Sequence, residues 1–186
     1  MYKEENMGSW NTRGLRGSML EELITLTNDL YRDKGLALVQ KIPTPIKPIR
    51  IDQTTRTITL AYFEQKSTID FTGVVQGIPV CFDAKETALK SFPFSNMHAH
   101  QIEFMKDFTE QGGEAFIVVN FKCYDEMYLL PFTILYEHWQ IAQNGGRKSI
   151  RYKDFPKDLQ IYAQDGAYVH YLKALQTYLA VYKNND

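Results

Sequence analysis

From Ser18 onward, apolar residues recur at helical intervals: Leu20, Leu23, Ile24, Thr27, Leu30 and Tyr31 form one stripe that ends before Gly35. This predicts an amphipathic helix, with Ser18 as N-cap and Glu21 at capping-box spacing. The period then shortens. "GLALVQKI" reads as a buried strand stopped by "PTP" at 43–45, and residues 46–64, "IKPIRIDQTTRTITLAYFE", read as two strands around the turn "DQTTR". Pro48 cannot donate to a ladder, so it suits an edge or a protruding ribbon better than a central strand. "STIDFTG" and "GIPVCFDAKET" predict a further hairpin turning near "VVQG".

"NMHAHQIEFMKDFTEQGG" predicts a helix with Asn96 as N-cap and Gly112 near its end. "EAFIVVNF" is nearly all apolar, as in a strand covered on both faces, and "EMYLLPF" follows as another. "ILYEHWQIAQ" reads as a short helix before the loop "GGRKSI", and "AYVHYLKALQTYLAVYK" as a closing helix. This order predicts an α/β fold, a mixed sheet with helices on both faces. Residues 1–17 lack periodicity, contain Gly8, Gly14 and Gly17, and carry Arg13 and Arg16, which predicts a flexible arm. Residues 18–186 are then one domain with a core of ordinary size, its ribbon spanning about 44–66.

A net charge of −1 argues against a general polyanion binder, yet the charges are uneven. Residues 41–66 carry Lys41, Lys47, Arg50, Arg56 and Lys66 against Asp52 and Glu64, and residues 145–157 carry Arg147, Lys148, Arg151, Lys153 and Lys157 against Asp154 alone. Polyanion binding therefore stays open. No run approaches the roughly 18 apolar residues of a membrane span, and the first residues do not read as a signal peptide. Cys81 and Cys123 lie far apart in apolar runs, which predicts buried free thiols and a cytoplasmic location, with no zinc site.

The candidate chemistry lies in "STIDFTGVVQGIPVCFDAKET". Strand alternation puts Val80, Phe82 and Ala84 on one face and Cys81, Asp83 and Lys85 on the other. If the preceding segment pairs as a hairpin, Asp70 reaches the same spot. Two converging carboxylates repel unless one is protonated or a cation joins them. A hard divalent ion such as Mg²⁺ suits oxygen donors. A lysine beside it can orient or deprotonate water, or stabilise charge on phosphorus. Spacing alone favours surface charges at a strand end; the strand context and Glu21, which flanks the apolar stripe of the first helix, shift the reading toward a site. Capping competes for Glu21. His98 and His100, about 200° apart on a helix, are poor metal co-ligands. His100 suits packing or a phosphate contact, and Gln101 the positioning of DNA or water. Arg147 and Lys148 sit either on a solvated loop or on one that grips phosphate. The aromatic residues read as core or interface.

These segments, taken in order as "RGSMLEE", "KIPTP", "AYF", "STIDF", "DAKET", "FPF", "MHAHQI", "QGG", "YLL" and "GGRKSI", resemble the RecU family of Holliday-junction resolvases. The resemblance implies a type II restriction-endonuclease-like fold and a homodimer that cuts four-way junctions with Mg²⁺ or Mn²⁺. It places Thr68, Asp70, Asp83 and Lys85 on the family's active-site positions. It supports Glu21 as a third metal-binding acid, because archaeal resolvases of that fold carry a helix acid at the same interval from a glycine. The family usually has Glu where Asp83 stands, a reach about 1.5 Å longer; an active enzyme is still expected. The ribbon matches the family's stalk, with Arg56 at the stalk arginine and a shorter second arm. A partnership with the RecA recombinase is an open expectation. Two rivals are a non-cutting junction-binding or recombinase-modulating protein, its metal site crippled by Asp83, and a duplex-cutting restriction-type nuclease; a projecting stalk argues against the second.

Overall fold

A computed structural model describes residues 18–43, 45–63 and 69–183. The arm expected over 1–17 and the candidate Thr68 lie outside the described residues. Helix α1 (Ser18–Asp33) buries Leu20, Ile24 and Tyr31 and stops at Gly35, whose φ of 64° suits a residue without a side chain. Strand β1 (Leu38–Lys41) follows, with Val39 alone buried. The segment expected to be a buried strand is thus an edge strand, since β1 ends the sheet against β4.

Strands β2 (Ile46–Asp52) and β3 (Thr57–Phe63) form a separate two-stranded ribbon, as Pro48 suggested. It exposes Ile46, Ile49, Ile51, Ile58, Leu60 and Tyr62. At its tip, Asp52 Oδ1 accepts the N–H groups of Thr54 and Thr55 at 2.8 and 3.2 Å, an Asx-type turn. Arg56 completes that turn at φ 55°, the left-handed region that side chains seldom adopt.

Strands β4 (Phe71–Val75) and β5 (Ile78–Thr87) make the expected hairpin through Gln76 and Gly77, both at positive φ. After them come β6 (Ser91–Pro93), α2 (Ala99–Glu110), β7 (Glu114–Phe121), β8 (Glu126–Pro131) and α3 (Phe132–Gln143). The described chain ends with β9 (Ser149–Arg151), β10 (Gln160–Ile161) and α4 (Tyr171–Val181). The central sheet runs β1-β4-β5-β7-β8-β10 and is mixed: β5 and β7 are parallel because α2 crosses between them. Helices cover both faces. Residues of α1 and α4 pack with Phe71, Phe82 and Phe116 on one side, where the three rings stack at 4.9 and 4.6 Å. Ile102 and Met105 of α2 and Leu135 of α3 pack with Ile117 and Val119 on the other. The apolar run of β7 is buried on both faces for this reason.

Local expectations fail where short-range bonds outweigh pattern. Helix α2 is capped by His98, while Asn96 closes a 3₁₀ turn and donates its amide to the Glu86 carbonyl at 3.2 Å. Helix α4 starts later than its apolar pattern, because Gln164 and Ala167 bridge into a turn and His170 Nδ1 is held 3.0 Å from the Tyr31 hydroxyl. The β6–β9 pair has strands of 3 residues each, too short to show any period. Cys81 is buried as expected, but Cys123 is exposed in the turn between β7 and β8.

Candidate active site

The ladder between β4 and β5 runs from Val75↔Ile78 to Phe71↔Phe82, so the next opposed pair is Asp70 and Asp83. There the strands part and side chains take over from the ladder. Asp83 Oδ1 accepts the Asp70 N–H at 2.8 Å, and Asp70 Oδ2 accepts the Ala84 N–H at 2.9 Å. Each acid therefore satisfies backbone that the parting strands leave unpaired. The alternation read from sequence holds: Phe82 packs with α1 and α4, Cys81 with the α2 side. Lys85 follows Asp83 on that second face, its Nζ 3.1 Å from Asp83 Oδ2.

Gln101 enters from the first turn of α2. Its Nε2 donates to Asp83 Oδ2 at 2.5 Å, and its Oε1 accepts the His98 N–H at 3.1 Å, which fixes the amide's orientation. Gln101, expected to position DNA or water, is buried and bonded to the acid pair. From α1, Glu21 reaches the same cleft with Oε2 2.7 Å from Lys41 Nζ. The cleft, about 550 Å³, is lined by Glu21, Asp70, Lys85, Glu86, His98 and Lys122 among others. Glu86 in turn takes Lys122 at 2.7 Å and the Asn120 amide at 3.2 Å. A larger cavity of about 980 Å³ lies at the opposite end of the hairpin, against α4. Its buried acid, Glu114, is paired with Lys183, so the smaller cleft is the one with converging acids.

Burial raises the Asp70 carboxyl above its ordinary range and the charge of Asp83 adds to this, while Lys85 and the Ala84 N–H pull the other way. Burial likewise raises Asp83, opposed by Lys85. The adjacent Cys81 thiol is lifted by burial to about 12, so it is inert. Two desolvated, facing carboxylates call for a proton or a cation, and a set of hard oxygen donors fits Mg²⁺ or Mn²⁺. Among the described residues no three His, Cys, Asp or Glu side chains stand gathered as a ligand shell. The reason is visible in the bonds: Asp83 is fully buried and held by Asp70, Gln101 and Lys85, while Glu21 is held by Lys41.

The basic candidates are spread over the surface. Arg50 and Arg56 are exposed on the ribbon. Arg147 Nε donates to Ser149 Oγ at 3.0 Å, and the backbone carbonyl of exposed Lys148 anchors its loop by accepting the Phe94 N–H at 3.1 Å. His98 lies outside the helix, so the expected angular separation from His100 does not arise. The two rings stack instead, with centroids 5.3 Å apart. Sequence reasoning missed Glu86 and Lys122 at the cleft, and an aromatic cluster of Tyr124, Tyr128 and Tyr152 beyond it. The single available signal was the run of charge and tyrosine after β7.

The profile of the recombination protein U family, RecU, matches residues 15–177 of this chain. The Holliday junction resolvase RecU of Limosilactobacillus reuteri (strain DSM 20016) is 41% identical over 170 residues, covering 89% of this chain and 83% of the relative. That of Levilactobacillus brevis is 42% identical over 178 residues, covering 92% and 89%. That of Geobacillus sp. (strain WCH70) is 43% identical over 141 residues, covering 74% and 70%. Among solved structures, Archaeoglobus fulgidus Hjc, a Holliday junction resolvase, overlaps 59% of this chain and 77% of its own. Its TM-score of 0.36 and 11% identity make the likeness too loose to carry weight.

Proposed function

The chain belongs to the recombination protein U family, and from that premise we propose that it is a Holliday-junction resolvase, a metal-dependent endonuclease that cuts four-way DNA junctions. One observation carries the chemistry: Asp70 and Asp83 face each other where two strands part, with Lys85 3.1 Å from Asp83 at the wall of an open cleft. Asp70 and Asp83 would hold a Mg²⁺ or Mn²⁺ ion, and Glu21 would complete the acidic wall. What such a cation supplies when bound is positive charge beside the phosphoryl oxygens and a lowered water pKa. Lys85 holds its ammonium within reach of the same space, where it stabilises charge that builds on phosphorus or orients the attacking water. Gln101 fixes the Asp83 carboxylate, and the reciprocal backbone bonds fix both acids, so the site is preorganised. Symmetric cutting of opposed strands requires two such sites, so a homodimer is part of the proposal. The exposed ribbon supports a stalk that enters the open centre of a junction, led by Arg56.

A second reading, a junction binder that does not cut, is favoured by the full burial of Asp83 and the engagement of both its oxygens. One experiment separates the two. A labelled mobile four-way junction is incubated with the protein in chelator, Mg²⁺ or Mn²⁺. Symmetric nicks that need a divalent ion support the resolvase. Binding without nicks in either ion selects the second reading.

A further inference from the structure

We propose that Tyr124 is a stacking platform for an unpaired base of the DNA strand that enters the acid cleft, an inference that rests on the nuclease reading above. The turn at residues 122–125 leaves the cleft directly: Lys122 lines it and is paired with Glu86. Two residues further on, the Tyr124 ring lies on the Tyr152 ring, with centroids 3.9 Å apart and planes at 25°. Lys157 Nζ sits 3.5 Å from the Tyr152 centroid. One ring face has no room for both partners, so Tyr152 is held between a cation and a tyrosine. Its edge is fixed as well. The Tyr152 and Tyr128 hydroxyls both donate to Glu126 Oε2, at 2.6 and 2.5 Å, and Lys157 donates to the Tyr128 hydroxyl at 2.8 Å.

The result is a rigid stack whose outermost ring, Tyr124, is 36% exposed. Among the described residues the Tyr124 hydroxyl has no hydrogen-bond partner, and the ring is held by its stacking on Tyr152. Lys122 and Lys153, both exposed, stand two residues before Tyr124 and next after Tyr152, and exposed Lys90 is tied to Tyr152 through its carbonyl, which accepts the Tyr152 N–H at 3.2 Å. Cations that follow a phosphate backbone, interleaved with an aromatic face, are the components of single-strand binding. A base inside a duplex has both faces covered by its neighbours. Only an unpaired base, such as one freed at the exchange point of a junction, can lie on Tyr124. Stacking of this kind contributes about 5- to 150-fold in affinity and is indifferent to base identity.

The test uses Tyr124→Leu, which keeps apolar contact with Tyr152 but removes the π-face, and Tyr124→Phe, which keeps the face. Binding is measured by fluorescence anisotropy in chelator, on a four-way junction carrying unpaired thymidines at the branch point and on a linear duplex closed by hairpins. The expected result is about a tenfold loss for Tyr124→Leu on the junction, an unchanged duplex affinity, and wild-type behaviour for Tyr124→Phe. Wild-type junction binding by Tyr124→Leu overturns the proposal, as does equal loss on both DNAs or equal loss in both variants. Because this readout is metal-free binding, it fails separately from the nuclease reading, which is judged by whether wild-type protein cuts.

Discussion

At the start of β7, Glu114 is buried opposite Val80 and takes the ammonium of Lys183. Further along the same parallel pair, Asp83 is buried with Asp70, Lys85 and Gln101 around it. Both acids are buried and each touches a lysine, yet their surroundings differ. Glu114 faces one cation and a cavity walled by Leu175, Leu179 and other α4 residues. Asp83 faces a second carboxylate, with a third, Glu21, close enough to raise it further. A single buried charge is compensated once and is finished. Converging like charges leave a demand that a cation or a proton must meet, and that demand distinguishes a site from a structural ion pair.

Substitutions at the two ends test this most severely. Asp70→Ala or Asp83→Ala is expected to lower junction cleavage by about 10²–10³-fold or more, the scale of losing one preorganised electrostatic group. Junction binding should persist, since removing negative charge beside phosphate does not weaken attraction. Glu114→Gln should cut at the wild-type rate. Cleavage time courses beside gel shifts decide it, and a Glu114→Gln enzyme as slow as the Asp variants would erase the distinction.

Next in size is Gln101→Ala. Asp83 would lose the donor that orients it and Oδ2 would keep only Lys85. An outer partner of a metal-binding carboxylate is typically worth about 10–100-fold, and cleavage should fall by that amount. A merely structural glutamine would lower Tm without changing the Mg²⁺ concentration that half-saturates cleavage; the orienting role predicts that this concentration rises.

Much of this end of the molecule was legible in the sequence because it depends on short-range rules. Strand alternation put Asp83 and Lys85 on one face, and the hairpin pattern brought Asp70 opposite. The bond of Gln101 to Asp83 was hidden because a helix read in isolation does not show what its first turn faces. The cap of α2 at His98, three residues earlier in the chain, is what turns Gln101 inward. The edge position of β1 was equally hidden, since an apolar run reveals pairing propensity and not the neighbours available. The tyrosine stack escaped because Tyr124 and Tyr152 meet from distant segments, joined by tertiary packing alone.

Asp83→Glu probes the same buried acid by length instead of charge. Asp83 is withdrawn from the cleft surface, and Glu would carry its carboxylate about 1.5 Å further out. Mg²⁺ demands near-ideal octahedral geometry and should gain the more from a better-placed ligand. The expected rise in Mg²⁺-supported cleavage is up to about tenfold, below the 10²-fold that a 1 Å misplacement can cost. The gain in Mn²⁺ should be smaller. A Glu variant inactive in both ions would mean that the packing of Gln101 and Asp70 is built around the shorter acid.

The smallest effects are on stability, and here the two ends should move in opposite directions. Glu114→Gln weakens the pairing with Lys183, which is half exposed and can return to water; a loss of about 1 kcal/mol lowers Tm by about 2–4 °C in a domain of this size. Asp70→Asn removes one of two facing carboxylates while its side-chain oxygen still accepts the Ala84 N–H, so in chelator at neutral pH it should raise Tm. The sign follows from linkage. Burial and Asp83 raise the folded-state pKa of Asp70, so the folded protein holds that proton more tightly than the unfolded chain. Its contribution is fully present below the unfolded carboxylate pKa of about 3.9 and is lost as pH rises through the elevated folded value. Asn mimics the protonated acid at every pH, so its advantage should be largest at neutral pH and vanish near pH 4. Mg²⁺ should reverse the order, because an ion that binds only the folded wild type stabilises it by mass action. Thermal melts of both variants at pH 4 and pH 7.5, with chelator and with Mg²⁺, measure all of this. An Asp70→Asn protein that melts below wild type in chelator at pH 7.5 would show that the attraction of the Asp70 charge to Lys85 and to the Ala84 N–H outweighs burial and the repulsion from Asp83, and would remove the electrostatic contrast between the two ends.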